Sequence, residues 1–252
     1  MLDDWFRTIE LKITFDEYAR LPRHPAYKQE YYDEHCVLTP RPKGYHAVLD
    51  LREATGSGEQ PLPRGALSRD VAIRLLRDGD WDEMPAVLAA AFHGVSPFCS
   101  LDHDRGEDVE AARDCLTHTR NGGDGPVIEP ACFVAAGDRE EMLGALLVTL
   151  WPARSSSEWS PWMWPEPPPT DAISRRLGRP HLTWVFVRPW EVGWGIGTAM
   201  LHAAARSLRQ MGFEQLASSF MSGNDSSILW HWRNGFRLLP YAGSLRRMQS
   251  ER

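Results

Sequence analysis

The chain has 252 residues, of which 42% are hydrophobic and 25% charged, and a net charge of −6. That composition is ordinary for a globular protein and supplies enough apolar material for one large domain, or for a domain with an appendage. The acidic balance argues against a nucleic-acid surface, and no run of about 18 apolar residues marks a membrane span.

Met1-Leu2-Asp3-Asp4-Trp5 has neither the basic nor the apolar region of a secretory signal, so a cytoplasmic location is expected. Cys36, Cys99, Cys115 and Cys132 are scattered without C-x-x-C spacing, which fits reduced thiols. Residues 1–65 read as a small accessory unit. Thr14 and Glu17 form a capping box that opens a short helix ended by Leu21-Pro22. Tyr27 to Tyr32 with Cys36 to Thr39 suggests a hairpin, and Tyr45 to Leu51 suggests a further strand. Glu53 to Arg64, rich in Gly, Pro and Ser, reads as a linker. The unit reads as packing or dimerisation material, and a homodimer is compatible with it.

Val71 to Leu75 is expected to be a strand. Asp80 with Glu83 suits a helix start, and Met84, Val87, Leu88 and Ala91 repeat one apolar helical face before His93-Gly94. A second helix is expected from Val109 to His118, ending at Asn121-Gly122-Gly123. Cys132 to Ala136 and Met142 to Leu150 read as an antiparallel hairpin. Cys132 sits in the apolar run Ala131 to Ala135 and reads as core rather than as a nucleophile. Asp102-His103-Asp104 has metal-ligating residue types, but three adjacent side chains on regular structure cannot converge on one ion, so it reads as a polar loop and no metal is expected. From Trp151 to Pro180 the chain is dense in Trp and Pro, including Trp159, Trp162, Trp164 and Pro167-Pro168-Pro169. Regular helix or central strand is not expected there. It reads either as an aromatic lid over a binding site or as an insertion covering the sheet's flank.

Leu182 to Val187 is an apolar strand that stops at Arg188-Pro189 and leads into Val192-Gly193-Trp194-Gly195-Ile196-Gly197-Thr198. Leu201, Ala204, Ala205 and Leu208 then fall on one helical face up to Gly212. Strand, glycine loop and helix start together suit an anion, because glycine admits positive φ and the first helical N–H groups lack internal partners. The spacing does not make a dinucleotide fingerprint, since Thr198 stands where G-x-G-x-x-G needs its last glycine. Nor is there a P-loop, because no Gly-Lys-Ser/Thr follows.

The V-x-P ending at Val187 and Pro189, followed by Gly193, Gly195, Ile196 and Gly197, resembles the GNAT superfamily of acyl-CoA-dependent N-acyltransferases. A second match lies downstream, where Asn224, Ser227, His231 and Gly235-Phe236 occupy the places of that family's Asn, small residue, Tyr and Gly-Phe. The resemblance covers about residues 68–252. It implies a mixed α/β fold with a largely antiparallel twisted sheet flanked by helices. It also implies acetyl-CoA as co-substrate, with Val192, Gly193, Trp194, Gly195, Ile196, Gly197 and Thr198 holding its pyrophosphate, Val185 and Val187 lining the pantetheine arm, and Asn224 nearby. Val192 replaces the family's usual Arg or Gln, which implies weaker cofactor binding.

The implied reaction is direct attack of a primary amine on the thioester, the acceptor being a small molecule or a peptide. Two side chains are candidates for proton transfer. His231, in place of Tyr, either protonates the departing thiolate or is a structural histidine between Trp230 and Trp232. Glu191 is either a base or a solvated loop charge. His181, opening the central strand, is a further polar group near the acceptor side. A non-catalytic acyl-CoA sensor on the same scaffold, or a partner-binding module led by the N-terminal unit, are the competing readings.

Overall fold

In the computed structural model the described residues are 8–23, 27–40, 44–52, 71–93, 105–153, 164, 166–221 and 224–239. Asp102-His103-Asp104, Cys99, the 53–64 linker and residues 154–163 and 165 of the Trp/Pro-rich stretch, including Trp159 and Trp162, lie outside them.

The chain begins with β1 (Ile9–Lys12), α1 (Phe15–Arg20), β2 (Tyr27–Tyr32) and β3 (His35–Pro40), which make a three-stranded antiparallel sheet in the order β1-β3-β2. The capping box forms as expected: Glu17 N–H donates to Thr14 Oγ1 at 3.3 Å, and Thr14 N–H donates to Glu17 Oε2 at 2.8 Å. The hairpin turns at Asp33 and Glu34, both with positive φ, which is the twist a tight antiparallel turn needs. Phe15, Tyr18 and Tyr31 cluster over it, the two tyrosine rings 5.1 Å apart.

Next come β4 (Gly44–Asp50), β5 (Ala72–Leu75), α2 (Asp80–Phe92), α3 (Arg105–Arg120), β6 (Phe133–Ala136), β7 (Met142–Pro152), β8 (Gly178–Val187), α4 (Ile196–Gln210), β9 (Gln215–Met221), α5 (Asp225–Arg233) and β10 (Arg237–Leu238). They form a mixed α/β unit around a seven-stranded sheet of order β10-β4-β9-β8-β7-β6-β5. All pairings are antiparallel except β8 with β9. One face packs under α4, where Met200, Leu201, Ala204, Ala205 and Leu208 meet Leu146, Val148, Leu150 and Leu182. The other packs under α2 and α3, where Met84, Val87, Leu88 and Leu116 meet Val134, Ala145, Leu147 and Phe186.

Three expectations are corrected. The strand near Tyr45 to Leu51 forms, but it belongs to the main sheet, pairing along its whole length with β9 from Gly44↔Met221 to Asp50↔Gln215. It buries Ala47 and Leu49 in the α4-side core, so this part of the first 65 residues is sheet and not appendage. Asp80 does not cap α2, whose N-cap is Gly79. Its carboxylate instead accepts from both Arg74 guanidinium nitrogens, at 2.7 and 2.8 Å, and from Arg77 N–H at 2.7 Å. Burial alone would raise that carboxyl; the Arg74 and Arg77 bonds and charges outweigh it and hold it below its ordinary value. The proline-rich stretch is also shorter than 151–180, since β7 runs on through Pro152 and β8 starts at Gly178, with Pro152↔Gly178 and Leu150↔Pro180 in register.

Because β4 is an interior strand, a chain starting at Ser68 should lose cooperative unfolding and aggregate, while one starting at Arg41 should unfold in a single urea transition. Equal transitions for the two would show that β4 adds nothing to the main sheet.

Candidate functional site

The site is built from a parting of strands. β8 and β9 pair only at His181↔Ala217 and Leu182↔Ser218, while β8 stays paired with β7 up to Val187↔Gly144. Beyond Leu182 the two parallel strands diverge, and the edge of β8 facing β9 has no strand partner among the described residues. From Thr183 to Val187 that edge runs about 13 Å at roughly 3.3 Å per residue. A bulge at Thr183 marks where it begins, because Leu147 pairs with Trp184 but the next residue, Val148, pairs with Leu182.

At the open end β8 passes into Arg188, which is fixed by donating to the Met142 carbonyl at 2.6 Å and to Glu83 at 3.1 Å. A 3-10 turn over Pro189–Glu191 then delivers the glycine loop. Gly193 has φ 96° and Gly195 φ 80°, the left-handed region that favours glycine. Gly195 is the N-cap of α4 and provides no side-chain cap. The first α-helical bond there is Ala199 N–H to the Gly195 carbonyl at 2.9 Å, so the N–H groups of Ile196, Gly197 and Thr198 have no partner one turn back. A Cβ on Gly197 would stand 3.1 Å from Trp230 Nε1, so glycine also lets α4 and α5 approach. Val192 and Trp194 are exposed at this mouth, while Val185 and Val187 pack partly into the α4-side core. The arrangement offers an anion several main-chain donors and the positive end of a helix.

Glu191 is 5% exposed, which excludes a solvated loop charge. Asn224 caps α5, its Oδ1 accepting Ser227 N–H at 3.0 Å. His231 is buried with both ring nitrogens engaged. Nδ1 donates to the Ser227 carbonyl at 2.7 Å, which leaves Nε2 to accept from the Ser218 hydroxyl at 2.8 Å. Burial pushes it down to about 4, against the smaller opposing pull of the Ser227 bond, so it is neutral at pH 7. An imidazolium donor is therefore not what this environment favours; His231 ties α5 to β9. Cys132 is likewise closed to chemistry, because burial raises its thiol to about 12 and its sulfur accepts Val148 N–H at 3.3 Å.

The face of the wedge opposite α4 carries His181 together with Ser219, Thr183, Thr149 and His46, four residues that the sequence did not single out. His181 Nε2 bonds Ser219 Oγ and Nδ1 bonds Thr183 Oγ1, both at 3.1 Å, and Thr183 Oγ1 meets Thr149 Oγ1 at 2.8 Å. Trp151 stacks on His181, ring centroids 3.4 Å apart and 11° from parallel. His46 lies directly across from Ser219 and edge-on to Trp151. Burial, then the Arg179 charge, lowers His46 to about 4. Burial, then His46, Arg179 and His231, drives His181 well below its ordinary value. The signal available in sequence was the alternation Arg179-Pro180-His181-Leu182, a polar pair at strand period on an apolar strand. Ser218-Ser219 was another, adjacent hydroxyls that β9 must send to opposite faces.

No family model matches the chain, and no curated protein is detectably similar. Solved structures are. One is a GCN5-related N-acetyltransferase from Sphaerobacter thermophilus, at 13% identity and TM-score 0.48, with 93% of this chain covered and 57% of that one. This chain thus spans little more than half the length of that relative. Another is the PaiA N-acetyltransferase from Thermoplasma acidophilum in complex with coenzyme A, at 12% identity and TM-score 0.47, covering 67% and 90%. A third is a GNAT family acetyltransferase from Brucella melitensis in complex with acetyl-CoA, at 19% identity and TM-score 0.42, covering 69% and 89%. At this level of likeness, a functional reading rests on the geometry of this chain.

The histidines set a pH dependence whose sign is fixed. For His231 and His46 the folded value, about 4, lies below the unfolded 6.5, so the unfolded chain binds more protons in between and stability falls as pH drops from 6.5 towards 4. His231 alone contributes about 3 kcal/mol across that window, at ~1.4 kcal/mol per pKa unit. His231→Gln should flatten the loss measured by urea unfolding at pH 7 and pH 4.5; an unchanged slope would show that the ring is protonated in the folded state.

Proposed function

We propose that this chain is an acetyl-CoA-dependent N-acetyltransferase of the GNAT superfamily, transferring the acetyl group to a primary amine in a ternary complex. The observation that carries the proposal is the strand wedge ending in uncapped helix N–H groups. An extended ligand arm can hydrogen-bond to the free edge of β8 while a pyrophosphate reaches the loop from Val192 to Thr198. The two glycine positions with positive φ are what bring the main chain close enough for that contact.

The chemistry follows from the two ends of the wedge. With the pyrophosphate at the loop, the thioester lies towards the apex at Thr183, where main-chain donors on the open edge polarise its carbonyl. An amine must be neutral to attack, and its ordinary value near 10.4 makes loss of a proton to water the first step. The N–C bond forms, the nitrogen gives up its second proton to water, the C–S bond breaks as the carbonyl re-forms, and the thiolate leaves along the wedge to be protonated by solvent. Glu191 stands at the loop end, so in this reading it supports the loop rather than taking the amine's proton. His231 lies on the α5 side and holds β9 in place. Val185, Val187 and Asn224 shape the arm's path without charge.

A non-catalytic acyl-CoA sensor has one observation in its favour, namely that among the described residues no side chain is set for proton transfer at the apex. The two readings separate by turnover. Titration calorimetry should show acetyl-CoA binding, and a thiol-release assay over a panel of amines should show free coenzyme A; binding without release from any amine would favour the sensor. Gly195→Glu should abolish acetyl-CoA binding while leaving the circular dichroism spectrum near wild type, because it puts a carboxylate at the anion's place in addition to straining a residue at φ 80°. Undiminished binding by this variant would sink the loop assignment.

A further inference from the structure

Every other partly buried guanidinium described at the edges of the main sheet has an acidic partner. Arg74 meets Asp80 at 2.7 Å and Arg188 meets Glu83 at 3.1 Å. Arg179 does not. It lies in β8 opposite Trp151 on the same face as His181, its guanidinium carbon 5.9 Å from the centre of the Trp151 ring. Its Nε is buried without a hydrogen-bond partner, and among the described residues its guanidinium meets no carboxylate. The groups around it are Trp151, His46 and His181, two of them imidazoles that burial keeps neutral. Desolvation alone lowers Arg179 from its ordinary value, with no acid acting in the other direction.

A half-buried cation held against an aromatic ring, with no counter-charge among the described residues, is costly unless an anion joins it. The fork of Arg suits a carboxylate, which it binds in a bidentate manner. The cofactor's phosphates do not answer this need, because Arg179 lies at the start of β8, on the closed side of the His181↔Ala217 pairing, and the glycine loop follows the strand's other end.

We infer that Arg179 is a specificity residue that receives the carboxylate of the acceptor, so that the amines acetylated here carry an anionic group. This rests on the acetyltransfer reading above. It disfavours polycationic acceptors, which would bring like charge to a guanidinium that has no acidic partner among the described residues. The acceptor's carboxylate would meet the Arg179 guanidinium, and its amine would lie near Thr183.

The test uses the full-length protein and matched probes, each amino acid beside the amine formed by its decarboxylation: lysine with cadaverine, phenylalanine with phenethylamine, and ornithine with putrescine. Phosphoethanolamine is included as a phosphate-bearing amine. Binding to the acetyl-CoA-loaded or coenzyme A-loaded protein is measured by calorimetry and turnover by thiol release. The expected result is that carboxylated members bind or react better by about tenfold or more, the scale of a charged hydrogen bond. Arg179→Gln should erase that preference while acetyl-CoA affinity holds, and Arg179→Lys should restore part of it. Equal use of both members of each pair, a selective response to phosphoethanolamine alone, or an equal loss for both members in Arg179→Gln would overturn the inference while leaving acetyl transfer intact. Failure of every carboxylated probe to bind or react, with acetyl-CoA still bound, would overturn it too. Absence of acetyl-CoA binding would instead remove the reading on which it stands.

Discussion

Backbone N–H and C=O groups inside a protein must find partners, and β8 cannot find them in β9 beyond Leu182. The central sheet therefore contains a seam that is closed at one end and open at the other. The two strands cannot simply zip together, because each is committed on its far side: β8 to β7 up to Val187, and β9 to β4 over its full length. Sheet twist and the bulge at Thr183 direct the two edges apart. What remains is an extended main-chain edge that leads directly to a helix start whose first N–H groups also have no partner among the described residues.

Side chains on the two faces hold this seam in shape. Ser218 and Ser219 are neighbours in β9 and point opposite ways, each bonded to a buried neutral histidine, Ser218 to His231 and Ser219 to His181. One histidine ties β9 to α5, and the other ties it back to β8 at the point where pairing ends. Residues that look like catalytic histidines in sequence thus serve as uncharged hydrogen-bonding struts. Desolvation makes them good struts, because it removes the charged state that would otherwise compete at moderate pH.

The glycine-loop end of the seam was legible in sequence because its signals are local. Glycines at positions 193, 195 and 197 and the apolar face from Leu201 to Leu208 lie within a short stretch, and the structure places a loop and α4 there. The capping role of Thr14 was readable for the same reason. The histidine-bearing face was not, because it is assembled by pairing across the chain: His46 reaches Ser219 only through the β4–β9 register, and Trp151 reaches Arg179 only through β7–β8. Asp80 shows a different limit. Its sequence context fits a cap equally well, and only Arg74 on the neighbouring strand draws its carboxylate away.

The position of β4 also bears on how the molecule is made. As a ribosome delivers the chain, the segment from Gly44 to Asp50 emerges early, yet the strand it pairs with comes only after β5 to β8 and α4 have been added. Until then an apolar strand with two unsatisfied edges must wait, exposed to other nascent chains. Contacts of such long sequence separation are closed late and slowly. Completion of the sheet, and with it the seam between β8 and β9, is therefore deferred until β9 is in place, so no chain that stops short of β9 displays that seam.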